Sequence, residues 1–111
     1  MILGNESAER VLLYLECFKR VYASQIARKF DCPVSMIQNQ LRRMERDNLL
    51  ESVKFGNLRV YSFNPRYPLL PELRKLLRRR LDLMDREQYE RLFVERRRPR
   101  KQGKPLMSYD G

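Results

Sequence analysis

The chain contains no histidine, only two cysteines among its 111 residues, and no long apolar run. Each absence removes a class of function. Without histidine there is no imidazole general base, no His-rich metal site and no Cys₂His₂ finger. Cys17 and Cys32 stand alone, so the expectation is no metal and no cofactor, and free thiols behave as small hydrophobes more often than as a redox pair. No segment approaches the roughly 20 consecutive apolar residues of a membrane helix. The first residues, Met1-Ile-Leu-Gly-Asn-Glu-Ser7, lack the basic and then apolar pattern of an export signal, so a reducing, cytoplasmic setting is expected. No nucleophile–base pair and no phosphate-binding glycine loop is legible, so an enzyme is not expected.

Positive charge is abundant. The formal net charge is +10, from 24 Lys and Arg against 14 Asp and Glu. Residues 96–111 hold Arg96, Arg97, Arg98, Arg100, Lys101 and Lys104 against Asp110 alone, so this tail carries +5 and residues 1–95 the other +5. A body that stays basic without its tail favours an anionic partner, nucleic acid first. Residues 98–111 have no periodicity and are expected to be a disordered basic tail. The six cations from Arg96 to Lys104 are candidates for phosphate contacts. A merely solubilising tail is the alternative.

With 42% hydrophobic residues, the remainder can form one small core. Val11, Leu12, Leu15 and Phe18 recur at helical spacing, predicting a first helix over about Glu6–Lys19 with Ser7 as a plausible cap. Leu13, Tyr14 and Cys17 widen its apolar face, which suggests core on one side and a partner subunit on the other. Val21 and Tyr22 form a short extended step. Residues 24–30 predict a second helix, capped by Ser24, with Ile26, Ala27 and Phe30 inward. Asp31-Cys-Pro33 is a break. Val34, Ile37, Leu41 and Met44 then form the core stripe of a third helix, with Ser35 a second cap candidate. Asp47-Asn48 ends it. Two β-rich runs flank Gly56-Asn57, a strong hairpin cue. Leu69, Leu70, Leu73, Leu76, Leu77, Leu81 and Met84 predict a further helix with Pro71 in its first turn, and Asp85 restarts a last one bearing Tyr89, Leu92 and Phe93.

A helix, a turn, a polar-faced second helix and then a hairpin is the layout of a winged helix-turn-helix, α+β in class and mostly helical, with a β-hairpin wing and two C-terminal helices. The outward face of the third helix carries Ser35, Gln38, Asn39, Arg42, Arg43 and Arg46. Gln and Asn match adenine edges and Arg matches guanine edges, so this face is the candidate major-groove reader. Which of these side chains touches a base stays open. Lys54, Asn57 and Arg59 surround the wing tip and are candidates for phosphate or minor-groove contact, and Ser24 joins them at the start of the second helix. Arg78-Arg-Arg80 cannot form one flat patch, since successive helical residues point about 100° apart; a solvated face is the expectation there.

Tyr22-Ala-Ser-Gln-Ile-Ala-Arg-Lys-Phe30, Ser35-Met-Ile-Gln-Asn-Gln-Leu-Arg-Arg-Met-Glu-Arg-Asp-Asn-Leu-Leu50, Arg59-Val-Tyr-Ser-Phe-Asn-Pro65 and Tyr67-Pro-Leu-Leu-Pro-Glu-Leu-Arg74 follow one another in an order that resembles the ArsR-like branch of bacterial and archaeal winged-helix transcription regulators. The likeness spans about residues 8–78. It implies double-stranded DNA as partner and transcriptional regulation, as a repressor, by a homodimer without a membrane. Gln38 and Gln40 stand where the family often has Ser and His, and the clustered Cys or His ligands of its metal-sensing members have no counterpart. The chain is therefore expected to divide into a winged domain over 1–95, with helices at about 69–97 serving dimerisation, and the tail. Leu73, Leu77, Leu81, Leu92 and Phe93 are the expected two-fold interface, because these stripes exceed what one small core needs. A winged-helix adaptor that docks proteins without reading DNA is the alternative.

Overall fold

The computed structural model describes residues 5–93. The tail candidates Arg96, Arg97, Arg98, Arg100, Lys101 and Lys104 lie outside the described residues.

The order of elements is α1 (Glu6–Phe18), α2 (Ala23–Phe30), α3 (Val34–Arg46), β1 (Leu50–Phe55), β2 (Leu58–Phe63), α4 (Leu70–Asp82) and α5 (Arg86–Phe93). This is the expected mostly helical α+β layout. Some caps differ. Asn5, not Ser7, caps α1: its Oδ1 accepts from Ala8 N at 3.1 Å, and Ser7 Oγ donates to the same oxygen at 3.0 Å. α2 begins one residue before Ser24, with Tyr22 as its cap; Tyr22 N donates to Gln25 Oε1 at 3.2 Å. Pro33 takes the cap position of α3, so Ser35 lies inside that helix and caps nothing. Pro71 does sit in the first turn of α4, where the amide hydrogen it lacks has no helical acceptor.

Three of the helix exits use positive φ, the first at Lys19 after α1 at 66°. Asp31 ends α2 at φ 53° and Asn48 follows α3 at φ 67°. Short polar side chains tolerate this left-handed region. The wing pairs Leu50 with Phe63 through to Phe55 with Leu58. Gly56 opens its two-residue turn at φ 61°. Val21 joins the sheet as a single bridge to Tyr61, through Val21 N to Tyr61 O at 3.0 Å and Tyr61 N to Val21 O at 2.7 Å. The extended step between α1 and α2 thus ties the wing to the helices. Asn64 closes the wing base, its Nδ2 donating to Asn48 O at 2.9 Å.

The core sits around α1, which packs against α3 on one side and α4 on the other. Val11, Leu12, Leu13, Tyr14 and Leu15 are all buried within one chain. Its wide apolar face therefore needs no partner subunit, which corrects the reading of helix 1 as half interface. The same holds for the C-terminal helices. Leu77 is 0% exposed and Phe93 3%. Leu73, Leu81 and Leu92 pack partly buried against the same cluster. Leu77 and Phe93 close the core, because α4 and α5 fold back over α1, and are not available to a partner, while Leu73, Leu81 and Leu92 are only half-covered within the chain. Tyr14, Phe30 and Phe93 form an aromatic group with ring centroids 6.0–6.2 Å apart.

Arg74 and Arg78 clamp Glu16, and Arg80 meets Glu9, across the α1–α4 seam at 2.9, 2.9 and 3.1 Å. The expectation of a merely solvated Arg78-Arg-Arg80 face is corrected at Arg78 and Arg80. Both carboxylates are buried, and a buried carboxylate is tolerated only with charge partners.

Leu77→Ala is expected to lower stability by about 2–5 kcal/mol, as for a fully buried leucine. Leu76, which is 46% exposed on the same helix, should change it by less than about 0.5 kcal/mol on the same substitution. Urea denaturation of both variants checks the assignment of core and surface on α4.

Candidate nucleic-acid interface

The outward face of α3 is built by the same periodicity as its core. Ile37, Leu41 and Met44 are buried. At about 100° per residue, Ser35, Gln38, Asn39, Arg42 and Arg46 then share the opposite face, with Arg43 at its edge. All but half-buried Gln38 are exposed. Val34 departs from the core stripe and is 40% exposed, because the helix starts there beside an open cleft.

That cleft, of about 280 Å³, lies between the start of α2, the first half of α3 and the wing. Ser24, Gln38, Arg42, Asn57 and Arg59 line it together. Residues up to 35 positions apart in sequence thus converge on one polar concavity, with two guanidinium groups and no carboxylate in its wall. Ser35, Asn39, Arg43, Arg46 and Lys54 are not part of the wall. Ser35, Asn39 and Arg46 continue the exposed α3 face beyond it. Lys54 stands directly opposite Arg59 in the hairpin register, and directly paired residues project to the same side of a sheet, so its exposed ammonium extends the basic surface toward the wing tip. Arg43 is turned aside: its Nη2 donates to Gln40 Oε1 at 2.6 Å, while Gln40 Nε2 donates to Ser7 Oγ at 3.2 Å.

Four further residues shape this surface that the local sequence pattern did not mark as site residues. Tyr22 and Tyr61 form the back of the cleft. Tyr61 is buried, and desolvation, with the nearby Glu45 carboxylate second, raises its phenol above the ordinary value; it stays a neutral donor at physiological pH. Ser52 and Glu45 lock the wing to α3. Arg59 Nη1 donates to Ser52 Oγ at 3.0 Å, and Ser52 Oγ donates to Glu45 Oε2 at 2.7 Å. The relay holds one wing cation at a set position relative to the helix, which reduces the ordering cost of binding an extended anion. The alternation in β2 was the available clue: Tyr61 and Arg59 lie on the side that faces α3.

The opposite side of the wing is apolar and open. Val53 and Phe55 there are 57% and 60% exposed, while Leu58, 39% exposed at the wing tip, also lines the cleft.

The cysteines sit away from the cleft wall. Cys17 is half-buried on α1 and shares a hydrogen bond with Tyr89. Burial pushes its thiol up to about 11. A raised thiol pKa means the fold favours the protonated form. Its contribution to stability is present below the ordinary value of 9.0 and is lost as pH rises from there through about 11. The thiolate is the nucleophile, so in a Cys32→Ser background Cys17 should alkylate with iodoacetamide at pH 8 at least about tenfold more slowly than free cysteine. Intact-mass time courses check this.

No protein-family model matches the sequence, and no curated protein matches it. Solved structures do resemble the fold. The antimony-specific transcriptional repressor AntR superposes with a TM-score of 0.61 at 22% identity, over 74% of this chain and 69% of that one. YusO of Bacillus subtilis gives 0.52 at 19%, over 74% and 64%. An apo form of a ZitR double mutant from Lactococcus lactis gives 0.51 at 18%, over 74% and 71%. At these identities the likeness is one of fold, and the fold is the winged-helix arrangement that the sequence pattern predicts.

Proposed function

We propose that this chain is an ArsR-like winged-helix regulator that binds double-stranded DNA sequence-specifically and represses transcription as a homodimer. The observation that carries the reading is the convergence of Ser24, Gln38, Arg42, Asn57 and Arg59 on one carboxylate-free cleft between α2, α3 and the wing. A helix face bearing Gln, Asn and Arg suits the donor and acceptor pattern of the major groove. The flanking cations Arg59 and Lys54 suit phosphates on either side of it. One of the structures with this fold, AntR, is described as an antimony-specific transcriptional repressor, which supports the regulatory part of the reading. The basic tail beyond Phe93 would add sequence-independent attraction.

In this reading Arg42 and Gln38 enter the groove, and Asn39 and Arg46 follow the same face. The dimer needs a surface other than Leu77 and Phe93. Leu76 within α4 and its two cap residues, Leu69 and Leu83, recur every seven residues, which returns them to nearly the same side of the helix. They are 61%, 46% and 66% exposed. An isologous contact through this stripe supplies the two-fold axis.

The protein-docking alternative has its own observation, the exposed apolar pair Val53 and Phe55 on the other side of the wing. The two readings separate cleanly by mutation. Gln38→Ala/Arg42→Ala should keep its circular dichroism and lose about 2–5 kcal/mol of specific DNA affinity, taking about 1–3 kcal/mol for each base-reading side chain. Val53→Ser/Phe55→Ser should leave DNA affinity within about twofold, since the opposite side of the wing is what faces the cleft. The reverse pattern, measured by fluorescence anisotropy on a selected duplex, supports the adaptor. For assembly, Leu76→Glu/Leu83→Glu should sediment as a folded monomer. A wild type that is monomeric at tens of micromolar both free and on DNA contradicts the dimer.

A further inference from the structure

A second cavity, of about 430 Å³, lies on the other side of α1 from the DNA face, between α1, the end of α2, α4 and α5. Its size falls within the roughly 300–1,000 Å³ typical of small-molecule sites. Phe30 and Phe93 give it an aromatic floor, their rings edge-to-face with centroids 6.0 Å apart. Its charged lining is mostly neutralised from within. Arg10 pairs with Glu6 at 2.7 Å and covers the Phe30 ring at 5.1 Å. Arg80 pairs with the buried Glu9 at 3.1 Å. The remaining polar groups are Gln88 and Arg91. They are three residues apart on α5, hence on one face. Arg91 has no ion-pair partner among the described residues. Among the described residues the wall thus offers one guanidinium without an ion-pair partner, beside an amide and above an aromatic floor.

We propose that this cavity is a binding site for a small aromatic or otherwise apolar carboxylic acid. The acid group is held by Arg91 with Gln88, and the apolar body packs on Phe30, Met84 and Leu92, the partly exposed apolar residues of the lining. A guanidinium presents paired N–H donors that match a carboxylate. The two internal ion pairs set the selectivity. They consume Arg10 and Arg80, leaving the site a net single positive charge that suits a monoanion. The inference concerns the cavity alone and does not depend on DNA binding.

The test uses the full chain, labelled with ¹⁵N, and two probes of the same shape. 1-Naphthoate carries the carboxylate, and 1-naphthamide carries an uncharged amide in its place. Titration with naphthoate should shift the amide signals of Leu13, Phe30, Gln88, Arg91 and Phe93. It should bind at least about fivefold more tightly than naphthamide, as expected when one charge-assisted contact distinguishes them. Arg91→Glu should weaken naphthoate by about tenfold or more. Arg86→Glu makes the same change in net charge at an exposed position outside the cavity wall, and should alter it by less than about twofold. Equal losses in the two variants, equal affinity for the two probes, shifts confined to Val53, Phe55 and Leu58, or no shift at about 5 mM naphthoate would each overturn the proposal.

Discussion

Two buried carboxylates on the central helix set the terms for the whole molecule. Glu9 is 5% and Glu16 7% exposed, on a helix whose residues Val11, Leu12, Leu13, Tyr14 and Leu15 are all buried. Left unpaired, either would cost several kcal/mol or more and oppose burial of α1. Arg74, Arg78 and Arg80 answer them from α4. The requirement fixes where α4 must lie and in which rotation, because residues 74 and 78 are one turn apart and reach one carboxylate together. The hydrogen bond and charge of Glu16 hold the Arg74 guanidinium further above its already high ordinary value. Such pairs add less to stability than apolar packing of the same volume would, yet they discriminate one seating of the helix from its neighbours.

From that seating the rest follows. With α4 and then α5 laid over one side of α1, α1 offers its other side to α3. The core residues Ile37, Leu41 and Met44 dock there, and the polar face of α3 is thereby turned outward. The bridge from Val21 to Tyr61 and the relay from Arg59 through Ser52 to Glu45 set the wing against the same helix. The cleft is thus a product of core packing at a distance: its five polar side chains come from three elements that are each held by something else. The charge of the body is divided in the same way. Arginines facing α1 are consumed in structure, while Arg42, Arg46, Arg59 and Lys54 remain on the outer surface.

The elements and the polar face of α3 were legible in the sequence because each is a local pattern. Apolar spacing gives α1 and α3, Gly56-Asn57 gives the hairpin, and Pro71 gives the start of α4. What failed to show is what depends on contacts between distant residues. The leucines of α4 read as a surplus that needed a second subunit. In fact Leu77 and Phe93 close the core of one chain, and the exposed ones are Leu69, Leu76 and Leu83. Periodicity identifies an apolar stripe but not whether the chain itself covers it. Glu9 and Glu16 were equally silent, since a charged residue inside an apolar stretch looks like surface until its arginines, some 60 residues on, are placed beside it. Ser24 and Ser35 were plausible caps by type; an extended Tyr22 and Pro33 take those positions, and Ser24 instead lines the cleft.

The proposed DNA-binding face is the cleft between α2, α3 and the wing. The most direct measurement is to select duplexes bound by the full chain from a random library, then map the complex with the selected duplex by amide chemical-shift perturbation. A DNA-reading cleft should yield a recovered consensus, with the largest shifts at Ser24, Gln38, Arg42, Asn57 and Arg59 and small ones at Val53 and Phe55. Selection that yields no consensus, or shifts that gather on the outer side of the wing while the cleft residues stay still, would contradict it.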